Sequence, residues 1–221
     1  MTVGALVPAA GLGVRLGPGV PKALRLLAGE PLLVHAVRGL REAPEVGDLV
    51  VAAPPGEVAE VSALLSAYDV TVVEGAETRS GSVLAALRAL PPGVELVLVH
   101  DAARCLTPQP VVAAVVAALR GGAEAVVPVL AISDTVKRVD GERVLATVPR
   151  ADLRAAQTPQ GFRREVLEAA HAQAGDVHTD DAGMVEALGG AVVTVPGHEE
   201  AFKVTRPLDL LLAEAVLRER I

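Results

Sequence analysis

The sequence predicts an α/β fold, built as a doubly wound, mainly parallel sheet with a protruding β-hairpin arm. Short apolar runs alternate with amphipathic helical segments along most of the 221 residues, which is the pattern of successive strand–helix units. The runs are continuously apolar, as expected of strands covered on both faces. One polar stretch, residues 133–149, interrupts the alternation. The expectation is a Rossmann-like single domain over residues 1–221 with an arm at about 131–152.

Each predicted element follows from a local pattern. Apolar runs predict strands at residues 3–7, 49–53, 70–73, 95–99, 125–130 and 191–195. Apolar positions that share one helical face predict helices over 33–40, 58–65 and 83–90, and a final helix covers about 207–218. In the polar stretch, Asp140-Gly141 lies between the β-prone segments 135–139 and 143–147, which is a hairpin signal. Such a hairpin exposes valines unless a second subunit or its own domain covers it.

Composition and charge exclude several classes of protein. Hydrophobic residues make up 51% of the chain, which is typical of a folded globular protein. The net charge is −7 and no basic stripe is present, so nucleic-acid binding is not expected. Cys105 is the single cysteine, so no internal disulfide can form. No apolar run of about 18 residues predicts a membrane span and no signal peptide is evident, so we expect a cytoplasmic protein.

A glycine-rich segment directly after the first strand indicates a phosphate-binding loop. It reads Pro8-Ala-Ala-Gly-Leu-Gly-Val-Arg15 and is closed by Pro21-Lys22. Small residues let backbone N–H groups approach phosphate oxygens, and the two cations neutralise charge. A P-loop requires Ser or Thr after its lysine, whereas Ala23 follows Lys22 here; a dinucleotide fingerprint requires a glycine where Leu16 stands. A strand-to-helix turn that merely needs glycine is the structural alternative.

Polar residues gather where the other predicted strands end, as a substrate cleft in a parallel sheet requires. These groups occupy residues 74–82, 100–104, 150, 157–160, 178–181 and 203–207. Asp101 ends an apolar strand and could hold Mg²⁺ or brace a loop as a helix cap. His100 and Cys105 are interpreted as packing residues. For His178, Asp180 and Asp181, a capped helix start at Thr179 is favoured over a metal site.

Together these motifs resemble 2-C-methyl-D-erythritol 4-phosphate cytidylyltransferases, the CTP-using enzymes of the non-mevalonate isoprenoid route. The resemblance extends from Pro8 to about Asp209. It is carried by the glycine-rich segment, Pro21-Lys22 and further short motifs: Arg79-Ser-Gly-Ser-Val83, His100-Asp-Ala-Ala-Arg104, Asp134-Thr135, Thr158-Pro-Gln160, Thr179-Asp180 and Lys203-Val-Thr-Arg-Pro207. Two positions depart from the usual family pattern: Cys105 stands in place of Pro, and Ala23 in place of Gln. Neither change removes a group that does chemistry.

The resemblance implies a nucleotide-diphospho-sugar transferase-like fold, Mg²⁺ as cofactor, CTP and a polyol phosphate as substrates, and a homodimer formed through the hairpin arm. The implied catalytic residues are Arg15, Lys22, Arg150 and Lys203. The implied nucleotide-binding residues are Ala9, Ala10, Gly11, Gly13, Gly75, Ala76, Glu77 and Ser82. The implied acceptor-binding residues are Arg104, Thr135, Arg150, Thr179 and Lys203, and Asp101 is the implied metal ligand.

Three other functions are compatible with parts of the same pattern. Ribitol-5-phosphate cytidylyltransferases share most of the motifs, and other nucleotidyltransferases of the same fold act on different acceptors. A non-catalytic nucleotide-binding protein would be expected to lose Lys22, Asp101 or Lys203, and all three are present. A nicotinamide-dependent oxidoreductase is disfavoured by Leu16.

Overall fold

The computed structural model describes residues 1–11, 20–173 and 179–220. Within these ranges the strands are β1 (Thr2–Pro8), β2 (Leu26–Leu27), β3 (Glu30–Pro31), β4 (Asp48–Ala53), β5 (Thr71–Glu74), β6 (Val94–Val99), β7 (Ala125–Ala131), β8 (Val136–Asp140), β9 (Arg143–Val148), β10 (Arg154–Ala156), β11 (Gln160–Arg163) and β12 (Val192–Pro196). The α-helices are α1 (Leu32–Arg41), α2 (Val58–Leu64), α3 (Arg79–Ala89), α4 (Gln109–Arg120), α5 (Arg164–Gln173), α6 (Asp181–Ala187) and α7 (Pro207–Glu219).

The central sheet of the described residues has eight strands in the order β10-β7-β11-β6-β1-β4-β5, and β12 also pairs with β7. Strand β1 is parallel to both β4 and β6, and β4 is parallel to β5. Strands β10 and β11 run antiparallel to their neighbours. The prediction of a doubly wound, mainly parallel sheet is therefore confirmed, with an antiparallel insertion that the apolar pattern did not reveal.

Helices cover both faces of this sheet, as the continuously apolar strands predicted. Alternate side chains of β1 point to opposite faces, so Val3, Ala5 and Val7 join one core cluster and Leu6 joins the other. The first cluster contains buried residues of α1, α2 and α4, and the second contains buried residues of α3, α5 and α6. Burial on both sides fixes the strand register, and with it the loops that follow each strand.

The predicted hairpin forms from β8 and β9, which make a separate two-stranded sheet. Gly141 takes a φ of 54° at the turn, where glycine is the residue least strained. Val139, Val144 and Leu145 are each more than half exposed. The described part of the chain thus leaves the apolar side chains of its arm uncovered.

The start of α6 lies one residue away from its predicted position. Helix α6 is capped by Asp180, whose Oδ1 accepts from the backbone N–H of Gly183 at 3.1 Å, so the prediction of a cap at Thr179 was wrong by one residue. Asp180 has the extended backbone of a cap residue, and its carboxylate is the oxygen that reaches the helix.

No helix in the described ranges has the length and apolar character needed to cross a membrane.

Candidate active site

The loops that follow three parallel strands, β1, β5 and β6, meet at one edge of the sheet. Backbone hydrogen bonds extend the parallel pairing into the first residue of each loop. The N–H groups of Ala9, Gly75 and His100 donate to the carbonyl oxygens of Ala52, Ala53 and Leu6, respectively, each at 2.8 Å. The beginning of the glycine-rich segment, the loop before α3 and the loop after β6 are therefore brought together. Ligands bind at this edge in open parallel sheets.

A cavity of about 220 Å³ opens between these loops, and we call it the nucleotide compartment. Its lining includes nine of the sequence-predicted site residues: Ala9, Ala10, Gly11, Lys22, Ala76, Glu77, Ser82, Asp101 and Lys203. Arg15 and Gly13, which were predicted for the same site, lie outside the described residues. The structure thus brings together residues that lie nearly two hundred positions apart.

Gly75 does not line this compartment but is tightly packed behind the loop that does. A Cβ atom at this position would lie 2.7 Å from Cβ of Ala10 and 2.8 Å from the carbonyl oxygen of Ala53. Next to it, Oγ of the buried Ser82 on α3 lies within hydrogen-bond distance of two carbonyl oxygens of the loop, 2.9 Å from that of Thr78 and 3.1 Å from that of Ala76. Ser82 therefore holds the loop in place as well as lining the cavity.

A second cavity, of about 190 Å³, adjoins the first, and we call it the acceptor compartment. Its lining includes the predicted residues Arg104, Thr179, Asp101 and Lys203. Arg104 is fixed at its far end, because its guanidinium donates to the backbone carbonyls of Ala201 at 2.7 Å and Ala156 at 3.0 Å. The guanidinium of Arg104 is therefore held in a fixed position beside this compartment.

Asp101 lies where the two compartments meet. Its Oδ2 is 2.6 Å from Nζ of Lys203, and its Oδ1 accepts from Nε of Arg79 at 3.2 Å. Burial alone would raise the pKa of this carboxyl, but the charges of Arg79 and Lys203 outweigh it and hold the pKa well below its ordinary value. Asp101 is therefore an ionised group at neutral pH.

The surroundings of Asp101 fit a metal ion that is shared with a substrate. The described residues contain no cluster of three or more His, Cys, Asp or Glu side chains that could hold a metal alone. Mg²⁺ commonly takes one or two carboxylates and completes its shell with water and phosphate oxygens. A carboxylate offers about four lone-pair positions, and Arg79 and Lys203 occupy two of those on Asp101. Asp101 together with a triphosphate thus suits Mg²⁺.

His100 and Cys105 are packing residues, as expected. His100 is buried and its Nδ1 lies 3.2 Å from Oγ1 of Thr158, and burial lowers its pKa to about 4. Burial raises the pKa of the Cys105 thiol to about 12, so this cysteine is no nucleophile at neutral pH.

Three of the predicted residues that the structure describes line neither compartment: Gly75, Thr135 and Arg150. Thr135 and Arg150 are exposed and flank the hairpin arm. Neither contributes to the lining of the two cavities. That these two residues serve a second copy of the chain stays a prediction.

Sequence reasoning gave no role to several residues that the structure places at the site. Arg79 lines both compartments, and Gln157, Thr158 and Gln160 line the acceptor compartment. Gln160 supports the neighbouring helix, since its amide nitrogen donates to Asp180 at 2.7 Å and its oxygen accepts from the Ala182 N–H at 3.1 Å. The sequence pattern that could have identified Arg79 is a charged residue at the start of a helix, after the loop that follows a strand.

The fold, with a glycine-rich loop and two adjoining cavities at the strand ends, is that of a nucleotidyltransferase. A family model described as IspD, 2-C-methyl-D-erythritol 4-phosphate cytidylyltransferase, matches residues 3–219. The chain belongs to this family, and the function of the family is its function. The ribitol-phosphate alternative is not favoured.

Individual relatives agree with the family match. A 2-C-methyl-D-erythritol 4-phosphate cytidylyltransferase of Streptomyces avermitilis is 58% identical, with 98% of this chain and 92% of that protein covered. The crystal structure of the enzyme of that name from Thermus thermophilus superposes with a TM-score of 0.83 at 40% identity, covering 99% of this chain and 100% of the other. A 4-diphosphocytidyl-2C-methyl-D-erythritol synthase from Anaerococcus prevotii gives a TM-score of 0.86 at 27% identity, covering 98% of both chains.

Proposed function

We propose that this chain transfers CMP from CTP to 2-C-methyl-D-erythritol 4-phosphate, giving 4-diphosphocytidyl-2-C-methyl-D-erythritol and pyrophosphate. The observation that carries the proposal is the wall common to the two compartments, which is lined by Lys203 and Asp101. A nucleotide in one cavity and a polyol phosphate in the other would bring their phosphates together at this wall.

The reaction needs positioning and charge neutralisation more than proton transfer. An oxygen of the acceptor phosphate attacks the α-phosphorus of CTP; the new O–P bond forms as the bond to the β-phosphate breaks, and pyrophosphate leaves in line. The attacking phosphate is already an anion, so no protein base is required. The protein has to hold two anions together and stabilise the charge that develops in the transition state.

The residues divide between these tasks. Lys22, together with Arg15, stabilises the charge on the triphosphate, and Ala9, Ala10, Gly11 and Gly13 line the nucleotide. Gly75, Ala76, Glu77 and Ser82 recognise the base; the last three line the nucleotide compartment from the loop before α3 and from α3 itself. The acceptor phosphate is held by Arg104, Thr179 and Lys203, which line the acceptor compartment.

Asp101 is the residue that would hold Mg²⁺ together with the triphosphate. When bound, the ion neutralises phosphate charge and orients the triphosphate. The same carboxylate keeps Lys203 in place through their 2.6 Å contact. Asp101 thus serves both the nucleotide and the acceptor side of the site.

The enzyme is a homodimer in which each arm completes the partner's site. Support comes from Val139, Val144 and Leu145, which are more than half exposed on the arm, and from the charged and polar groups at its base. Exposed apolar side chains of this kind are typical of an interface. Thr135 and Arg150 would then reach the acceptor phosphate of the other subunit.

A cytoplasmic location of the enzyme also stays a prediction.

A pyrophosphate-release assay tests the proposed reaction. The purified enzyme is given CTP, UTP, GTP or ATP with Mg²⁺ and either 2-C-methyl-D-erythritol 4-phosphate or ribitol 5-phosphate. We expect release only with CTP and the methylerythritol phosphate, and its loss when EDTA replaces Mg²⁺. Release with ribitol 5-phosphate at an equal or higher kcat/KM would contradict the proposed acceptor. Full activity in EDTA would contradict the proposed requirement for Mg²⁺.

A further inference from the structure

A buried ionic chain runs behind the wall that separates the two compartments. Asp181, at the start of α6, has no exposed side-chain surface; its Oδ2 accepts from Nη1 of Arg79 at 2.7 Å and its Oδ1 lies 3.0 Å from Nε2 of His171. His171 is almost fully buried in α5, and its Nδ1 lies 3.2 Å from Oγ of Ser80. A buried carboxylate requires such partners, because desolvation of an unpaired charge is costly.

Arg79 connects this buried chain to the reaction centre. Its Nε donates to Oδ1 of Asp101 at 3.2 Å while its Nη1 binds Asp181, so one guanidinium joins two carboxylates. Asp101 in turn contacts Lys203 at 2.6 Å. Arg79, Asp101 and Lys203 are the three described residues that line both cavities.

Only an arginine can make this connection in the observed way. The guanidinium is planar and carries five N–H donors in a rigid fork, whereas a lysine ammonium is a single charge on a flexible stem. Asp181 lies on α6 and is anchored by α5, so it holds one end of the fork in the core. The direction of the other end, and therefore of the Asp101 carboxylate, is set by the packing of α3, α5 and α6.

We propose that Arg79 is a positioning residue for cytidylyl transfer: held by Asp181, it fixes Asp101 and, through Asp101, the Lys203 ammonium at the boundary of the two compartments. The inference rests on the proposed function. The attacking oxygen and the α-phosphorus must approach to about 3–3.5 Å, and a misplacement of about 1 Å can cost a factor of about 10² in rate. Arg79 therefore acts on the transfer step more than on the binding of either substrate.

The test has to separate this role from simple neutralisation of Asp181. Arg79→Met leaves the Asp181 charge buried with only His171 beside it, so it is expected to lower the melting temperature as well as the activity. The double variant Arg79→Met/Asp181→Asn removes both charges and keeps a hydrogen-bonding group for His171. We expect the double variant to regain most of the lost melting temperature, while kcat stays about 10- to 100-fold below wild type and both KM values stay within about threefold.

Two matched variants complete the design. Arg79→Lys keeps the charge without the fork, and we expect it to restore activity only in part. Arg38→Met removes an arginine that also pairs with a carboxylate, its Nη2 lying 2.8 and 2.6 Å from the two oxygens of Glu30, but that lines neither compartment; its kcat is expected to be unchanged.

Several results would overturn the inference. Recovery of both melting temperature and kcat in the double variant would show that Arg79 only neutralises Asp181. A rise of tenfold or more in the calorimetric Kd for CTP, with kcat unchanged, would make Arg79 a binding residue instead. Wild-type enzyme that forms no product from CTP and methylerythritol phosphate would contradict the proposed function, whereas active wild type and an equally active double variant would contradict this inference alone.

Discussion

The cations of the nucleotide compartment come from distant parts of the chain and from different kinds of local structure. Lys22 begins a short 3₁₀ turn after the glycine-rich segment, Arg79 lies on the first turn of α3, and Lys203 follows the 3₁₀ turn after β12. At the residue scale, three cations from separate parts of the chain line one cavity, and Asp101 is the anion that pairs with two of them.

Replacing Lys22 with Ala is expected to lower kcat by about 10²-fold or more, because one preorganised charge-stabilising group is lost from the transition state. The measurement is pyrophosphate release at saturating CTP and acceptor. Arg218→Ala is the control, since the side chain of Arg218 is 78% exposed and pairs with Glu214 on α7, away from both cavities. Near-normal turnover of the Lys22→Ala enzyme would remove Lys22 from the catalytic groups.

Gly75→Ala tests the close approach of the loop before α3. The added Cβ would meet the backbone carbonyl of Ala53 at 2.8 Å, and a backbone atom cannot move aside as a flexible side chain can. Overpacking of this kind costs about 1–3 kcal/mol of folding stability, so the melting temperature should fall; the displaced loop, whose Ala76 and Glu77 line the cavity, should also bind CTP more weakly by calorimetry. Gly93→Ala is the control, because its Cβ would meet nothing within 4 Å. Equal CTP affinity of the two variants would contradict the assigned approach.

At the element scale, each loop is held by the start of the helix that follows it. Thr78 caps α3 by accepting from the Gly81 N–H at 3.0 Å, and Asp180 caps α6. Helix α7 begins at Pro207 immediately after the segment that carries Lys203, and Asp209 accepts from the N–H groups of Thr205 and Arg206 at 2.7 and 2.8 Å. These caps set the direction in which each functional side chain enters the site.

Asp209→Ala is expected to lower the free energy of unfolding by about 1 kcal/mol, the usual cost of removing a helix-capping group. Burial raises the pKa of Asp209, but the N–H groups of Thr205 and Arg206 outweigh it and the net pKa is below the ordinary value. The folded state therefore favours the ionised form, so this contribution is present above the unfolded pKa of 3.8 and is lost as the pH falls through the folded value.

Urea unfolding at pH 7 and at decreasing pH below 4 measures both effects. Asp209→Asn keeps an oxygen acceptor without the charge, so it should lose less stability than Asp209→Ala at pH 7. The difference in unfolding free energy between wild type and Asp209→Ala should shrink as the solution is acidified. A difference that grows on acidification would show that the folded state does not favour the ionised carboxyl.

At the scale of the whole molecule, the site described in one chain is incomplete without a partner if Thr135 and Arg150 act in trans. Both residues are exposed at the base of the arm, and the arm exposes Val139, Val144 and Leu145. An exchange of arms would bury these apolar groups and place the charged residue at the second subunit's acceptor compartment. Dimerisation and catalysis would then depend on the same segment.

Mixed dimers of Lys22→Ala and Arg150→Ala chains test this exchange. If the arm serves the partner, one of the two sites in each heterodimer has both residues intact, so a randomly exchanged equal mixture should reach about a quarter of wild-type activity. Each variant alone should stay nearly inactive. The assay is pyrophosphate release after co-expression or subunit exchange, with heterodimers confirmed by native mass spectrometry. Heterodimers without recovered activity would show that Arg150 acts in its own chain or not at all.

The sequence by itself determined the parallel strands, the loops at their ends and most of the compartment linings, because continuously apolar runs and the small residues after them are local patterns. Only the tertiary structure decided the pairing of Arg79 with Asp181, which are 102 residues apart, and the antiparallel insertion of the short β10 and β11. From the sequence, Asp181 was a possible metal ligand near a capped helix start, because a sequence shows a charged residue but not the residue it pairs with. Ion pairs across such separations depend on how helices pack on the sheet, which no local pattern encodes.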